Sequence, residues 1–216
     1  MSPVLALPEP LPPVEAVLFD LLTALLDSWS LWNRAAGSPD EGRRWRQHYL
    51  ELTYAAGAYR PYDALVLESA QGAGLPAGAG RALLDAWDEL EAWPEVPSVL
   101  HTLGARMRVG VVTNCSTALA ARAVRRLGAR VDVVVAAERA GAYKPDPRPY
   151  RLALEELALP AERVLFVAGS PYDMPGAGGV GMPVLWHNRL ALTRPAGVQA
   201  PWAELSRLDA LPALLV

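Results

Sequence analysis

Four apolar runs rich in β-branched residues punctuate the chain: Val14–Phe19, Val109–Val112, Val131–Val135 and Val164–Ala168. A shorter one follows at Val184–Trp186. Consecutive rather than alternating apolar positions predict strands buried on both faces. The stretches between them carry helical signals. Pro97–Gly104 predicts a short helix, and Ser116–Leu127 a longer one stopped by Gly128 at the position favoured after a helix. Asp146-Pro147 sets a capping acid before a proline, and the helix it opens carries Leu152, Leu154 and Leu157 toward Leu159. Strand–helix alternation of this kind predicts an α/β fold, a parallel sheet with helices on both faces.

One region breaks the alternation. From Trp29 to Trp93 β-branched residues thin out and Ala, Leu, Trp, Glu and Arg take over. The spacing of Trp45, Tyr49, Leu52 and Ala56 predicts a helix capped by Ser38 or Asp40. A second helix is expected from Pro61 through Leu65 and Ser69 toward Gly72–Gly74, and a third from Pro76 to Trp87. A helical insertion directly after the first strand lies over the carboxyl ends of the strands, as a lid. The expected organisation is a proline-rich lead-in at 1–13, a core domain of 14–28 and 94–216, and a helical cap domain at 29–93.

Composition narrows the class. With 216 residues, 52% hydrophobic and 20% charged, the chain is that of a globular protein able to bury a sizeable core. A net charge of −3 gives no reason to expect nucleic acid as a partner. The single cysteine, Cys115, excludes an intrachain disulfide and suits a reducing cytoplasm. No apolar run approaches the length of a membrane span, and the first residues lack a basic start and a cleavage site.

Ligands of open α/β sheets bind at the carboxyl ends of the strands, and each predicted strand ends there on a different polar group. The first offers Asp20, the second Thr113-Asn114, the third Lys144, and the fourth Ser170 and Asp173. An acid in Asp20's position serves as nucleophile, metal ligand or general base, or merely caps a turn. Lys144 is expected as a buried cation holding Asp20 ionised. Thr113 and Asn114, at the start of the helix near Ser116, are expected to contact an anion. Tyr150, on the helix after Lys144, is a core residue whose hydroxyl can bond a carboxylate.

The ordered set Phe19-Asp20-Leu21-Leu22-Thr23-Ala24-Leu25, Val112-Thr113-Asn114, Tyr143-Lys144-Pro145-Asp146 and Phe166-Val167-Ala168-Gly169-Ser170-Pro171-Tyr172-Asp173 resembles the haloacid dehalogenase-like superfamily. Two further stretches are similar to its L-2-haloacid dehalogenases. Trp45-Arg46-Gln47-His48-Tyr49-Leu50 resembles their cap helix, and Trp186-His187-Asn188-Arg189 the end of their last core strand. The resemblance implies a Rossmann-like core with an inserted cap, and a small anionic 2-haloalkanoic acid as substrate. It also implies a homodimer. Asp20 is the implied nucleophile, with Lys144, Thr113 and Asp173 as its catalytic companions. Arg46 and Asn114 would receive the halide, while Leu22, Gln47, Leu50, Tyr150, Ser170, Tyr172 and Asn188 would meet the substrate. Leu22 replaces the acid that protonates a leaving oxygen in the superfamily's phosphatases; a halide needs no such proton. Ser170 replaces an aspartate of their magnesium site, so no cofactor is expected. If Mg²⁺ bound, Asp20 and Asp173 would hold it. Ala24, Ala168 and Ser170 depart from the dehalogenase pattern itself. A magnesium-dependent phosphatase and a non-catalytic anion binder therefore remain as alternatives.

Overall fold

Successive side chains of a strand point to opposite faces, and both faces of this sheet are covered. From the first strand, β1 (Ala16–Asp20), Val17 and Phe19 enter one core while Ala16 and Leu18 enter the other. That is why Ala16–Phe19 is apolar at every position. The computed structural model describes residues 11 and 13–215. The expected lead-in at 1–13 lies outside the described residues except for 11 and 13. The remaining strands are β2 (Arg108–Thr113), β3 (Val133–Ala136), β4 (Val164–Ala168), β5 (Val184–His187) and β6 (Ala203–Leu205). All pair in parallel in the order β3-β2-β1-β4-β5-β6. The order reverses direction at β1, which lies between β2 and β4, so the crevice for a ligand opens beyond the end of β1.

The helices among the described residues are α1 (Ser28–Ala36), α2 (Pro39–Ala55), α3 (Tyr62–Gly72), α4 (Ala79–Asp85), α5 (Val96–Gly104), α6 (Thr117–Val124), α7 (Ala137–Ala140), α8 (Pro147–Leu157), α9 (Met174–Gly179) and α10 (Leu211–Leu214). Residues of α5, α6 and α10 pack on one face of the sheet, and Tyr150, Ala153, Leu157, Met174 and Ala177 of α8 and α9 on the other. Ser38, not Asp40, caps α2, and Asp146 caps α8. β6 was not legible in the sequence, because a three-residue edge strand buries too little to leave an apolar run.

Helices α1–α4 form the insertion. The chain leaves the sheet and returns to it side by side: Leu26 and Ala92 form an antiparallel bridge, and Trp93 N–H donates to Leu25 O at 3.0 Å. A row of rings runs through the inserted helices, from Trp32 against Trp45 (4.5 Å) to Tyr49, Tyr62 and Trp87. Contacts onto the strand ends seat this layer above the crevice. The Tyr49 hydroxyl donates to Asn114 O at 3.0 Å, and Tyr59 N–H to Gly141 O at 2.9 Å.

Candidate active site

Because Asp20 is the last residue of β1, its side chain emerges where the strand gives way to a single wide turn, Leu21–Leu25. Leu26 N–H closes that turn on Leu21 O at 3.0 Å, a π-type geometry often found at functional sites. The turn folds back onto the carboxylate. Asp20 Oδ2 accepts from Thr23 N–H (2.7 Å), the Thr23 hydroxyl (2.6 Å) and Ala24 N–H (3.2 Å). Two neighbours hold the turn in place. His187 Nδ1 lies 2.9 Å from Ala24 O, and Gly169 approaches so closely that a Cβ there would stand 2.2 Å from Ala24 N. No side chain fits at that glycine.

Oδ1 of Asp20 has a different partner. The Lys144 ammonium donates to it at 2.7 Å and reaches Asp173 Oδ1 at 2.9 Å. All three residues are buried. A buried lysine between two buried carboxylates makes their environments diverge. Burial works against Asp20's charge, yet the Lys144 cation and the Thr23 hydrogen bonds hold its carboxyl below the ordinary range. Asp173 is pushed up to about 6 by burial, with Lys144 pulling the other way and the Asp20 charge adding to the rise. Burial opposes the Lys144 charge, but the two carboxylates raise its pKa above the ordinary value, so it stays protonated. One acid is thus firmly ionised, and its neighbour is poised to exchange a proton near neutrality.

A cavity of about 120 Å³ opens above this triad, large enough for a molecule of a few heavy atoms. Its floor includes Asp20, Leu22, Thr23, Asn114, Lys144, Ser170, Tyr172 and Asp173; its roof is Arg46 with aromatic residues of the insertion. The Arg46 guanidinium stacks over Trp29 (4.0 Å) and Trp32 (4.9 Å) and donates to Ser28 Oγ at 3.1 Å. Its Nε is enclosed without a hydrogen-bond partner. Burial lowers its pKa to about 10, so it is a cation at neutral pH. An arginine with an enclosed, unmatched donor beside a cavity is prepared for an anion.

Several expectations need correcting. Thr113 is buried and its hydroxyl faces Cys115 Sγ at 3.7 Å, so it does not line the cavity. Gln47 is exposed and donates to Glu51 Oε1 at 3.0 Å. One residue beyond Arg46 on a helix is about 100° around from it, which carries Gln47 away from the cavity. Tyr150 is sealed in the core beneath the site, and its hydroxyl donates to the Asp173 backbone carbonyl at 3.2 Å rather than to a carboxylate. Asn188 also stays out of the cavity: its amide bonds Leu192 O, Leu192 N–H and Glu204 Oε1, fixing the loop that brings Leu192 to the wall. Asn114 does line the cavity, but most of its amide holds Lys144 in place. Oδ1 accepts from Lys144 N–H at 2.7 Å, and Nδ2 donates to Lys144 O at 3.1 Å.

Tyr49, Leu50 and Tyr54 line the cavity from the same helix as Arg46, three, four and eight residues further on. That spacing puts them on Arg46's face and is a signal the sequence carried for Tyr49 and Tyr54. Thr23, Ser28, Trp29, Trp32, Tyr62 and Leu192 had no comparable signal.

The site does not suit magnesium. The ion needs a nearly complete octahedron of oxygens, whereas here an ammonium bridges the two acids that line the cavity. Among the described residues no group of three or more His, Cys, Asp or Glu side chains is placed to hold a metal. No helix among them is long and apolar enough to cross a membrane.

The chain is similar to known proteins. Residues 15–181 match the family model of the haloacid dehalogenase-like hydrolases. The chain is 30% identical to an (S)-2-haloacid dehalogenase of Pseudomonas sp. (strain YL), over 92% of this chain and 93% of that protein. It is 28% identical to haloacetate dehalogenase H-2 of Moraxella sp. (strain B), over 94% and 98%. A crystal structure of an L-2-haloacid dehalogenase superposes with a TM-score of 0.84 at 27% identity, covering 94% of this chain and 99% of that one.

Proposed function

Since the chain belongs to the haloacid dehalogenase-like hydrolases, we propose that it hydrolyses the carbon–halogen bond of small 2-haloalkanoic acids through an ester on Asp20. The observation that carries this reading is the pairing of an ionised, lysine-held carboxylate with a leucine, Leu22, where an acid would assist a leaving oxygen. Oδ2 is held by three donors and Oδ1 by one, so Oδ1 is the freer nucleophile. It attacks the halogen-bearing carbon from the side opposite the halogen. The carbon–halogen electron pair leaves with the halide toward Arg46, and the centre inverts. The Ser170 hydroxyl and the remaining N–H of Asn114 are donors available to the substrate carboxylate.

The second step needs a base and a place for negative charge. Asp173 takes a proton from water, which adds to the Asp20 carbonyl carbon. The resulting oxyanion forms on Oδ2, where Thr23 and Ala24 already supply donors; preorganised donors of this kind are worth about 3–4 kcal/mol each. Collapse breaks the bond from the carbonyl carbon to Oδ1, the departing alkoxide takes the proton from Asp173 to become a 2-hydroxy acid, and the new Asp20 carboxyl loses its proton to water. Water's oxygen remains in Asp20. Residues 29–93 act in this scheme as a cap domain excluding bulk water from the core, and the buried thiol of Cys115 suits a reducing cytoplasm.

The test is halide release from a chloroacetate series, followed by ion chromatography. Asp20→Asn is expected to lower turnover by at least about 10⁴-fold, the order seen when a nucleophile is removed. Undiminished release in that variant would remove the assignment.

A further inference from the structure

Tyr62, the first residue of α3, lines the cavity roof with only 1% of its surface exposed. Its ring is fixed at its edges by Tyr49 (5.8 Å) and Trp87 (5.6 Å). Its hydroxyl is enclosed and has no hydrogen-bond partner, and the same is true of the Nε of Arg46 on the same roof. Leaving a buried hydroxyl unpaired is destabilising, because the water it gave up is not replaced. Two residues that line one small cavity thus each carry an enclosed, unmatched donor, and a compact acceptor bound there would satisfy both. We propose that the Tyr62 hydroxyl is a second donor of the halide subsite, so that the departing ion is received by a guanidinium and a phenol together. This inference rests on the dehalogenase reading and deepens it, because it assigns part of the leaving-group preference to one hydroxyl. A phenol donates most strongly to the smallest, hardest halides, so its help is greatest for fluoride and chloride and least for bromide.

The rings of Trp29 and Trp32 against Arg46 give a fluorescence signal for anion binding without turnover. The wild type and Tyr62→Phe would be titrated with sodium fluoride, chloride and bromide, and with sodium acetate as a carboxylate control. The variant is expected to bind chloride about tenfold more weakly, equivalent to about 1.4 kcal/mol. The loss should be larger for fluoride, smaller for bromide and absent for acetate. In halide-free buffer its Tm should equal or exceed that of the wild type, because the lost hydroxyl had no partner. Equal chloride affinity, a loss confined to acetate, or a lower halide-free Tm would each overturn the proposal. The dehalogenase reading fails separately. A wild type that binds halide through Tyr62 but releases none from chloroacetate refutes that reading alone, and a working dehalogenase with an indifferent Tyr62→Phe refutes only this one.

Discussion

The floor and the roof of the cavity treat their polar groups in opposite ways. On the floor, Asp20, Lys144 and Asp173 meet one another at 2.7 and 2.9 Å, and the turn after β1 wraps the remaining oxygen of Asp20. On the roof, the Arg46 Nε and the Tyr62 hydroxyl are enclosed and unmatched. A satisfied network fixes geometry before substrate arrives, which an attacking carboxylate and its base require. In the proposed mechanism the unmatched donors are held for an ion that exists only after the bond has broken. On the proposed mechanism the floor would answer to protons and the roof to halide.

Replacing Arg46 tests that division most severely. Arg46→Lys keeps a charge but loses the planar stack on Trp29 and Trp32, so the two are not interchangeable there. Turnover on 2-chloropropionate should fall roughly a hundredfold, or about 2.7 kcal/mol. The shape of the pH profile should stay unchanged, since the floor is intact. A shifted profile in steady-state kinetics would show that roof and floor are not separable.

The floor's own signature is smaller. Asp173 must be ionised to accept water's proton, and burial sets its pKa at about 6. Below that pH it is protonated and cannot act as base, while Asp20, held lower by Lys144 and Thr23, is still charged. In the ester the Asp20 charge that helps raise Asp173 is gone, so the break in turnover should lie below 6, and past it turnover should drop about tenfold per pH unit, the slope of a single ionisation. A kcat profile with no acid limb at any pH where the protein stays folded would exclude Asp173 as the base.

Legibility in the sequence follows the same line. The floor sits on strand ends, and buried strands announce themselves as unbroken apolar runs such as Val164–Ala168, so Asp20, Lys144 and Asp173 could be placed from their neighbours. The roof sits on helices, where position depends on rotation. Arg46 pointed inward, but Gln47, adjacent in sequence, points out. Thr113 failed for a related reason: it ends a strand, yet it turns its hydroxyl to Cys115 inside the fold. Tyr62 reaches the cavity because α3 packs back across α2, a tertiary fact with no local pattern.

The most direct test of the account is a single turnover in ¹⁸O-labelled water with enzyme in excess over 2-chloropropionate, followed by mass spectrometry of the peptide containing Asp20 and of the lactate. The account predicts one heavy oxygen in Asp20 and none in the lactate hydroxyl. Label in the lactate with Asp20 unlabelled would mean that water attacks the substrate directly, and would contradict the ester on which the mechanism depends.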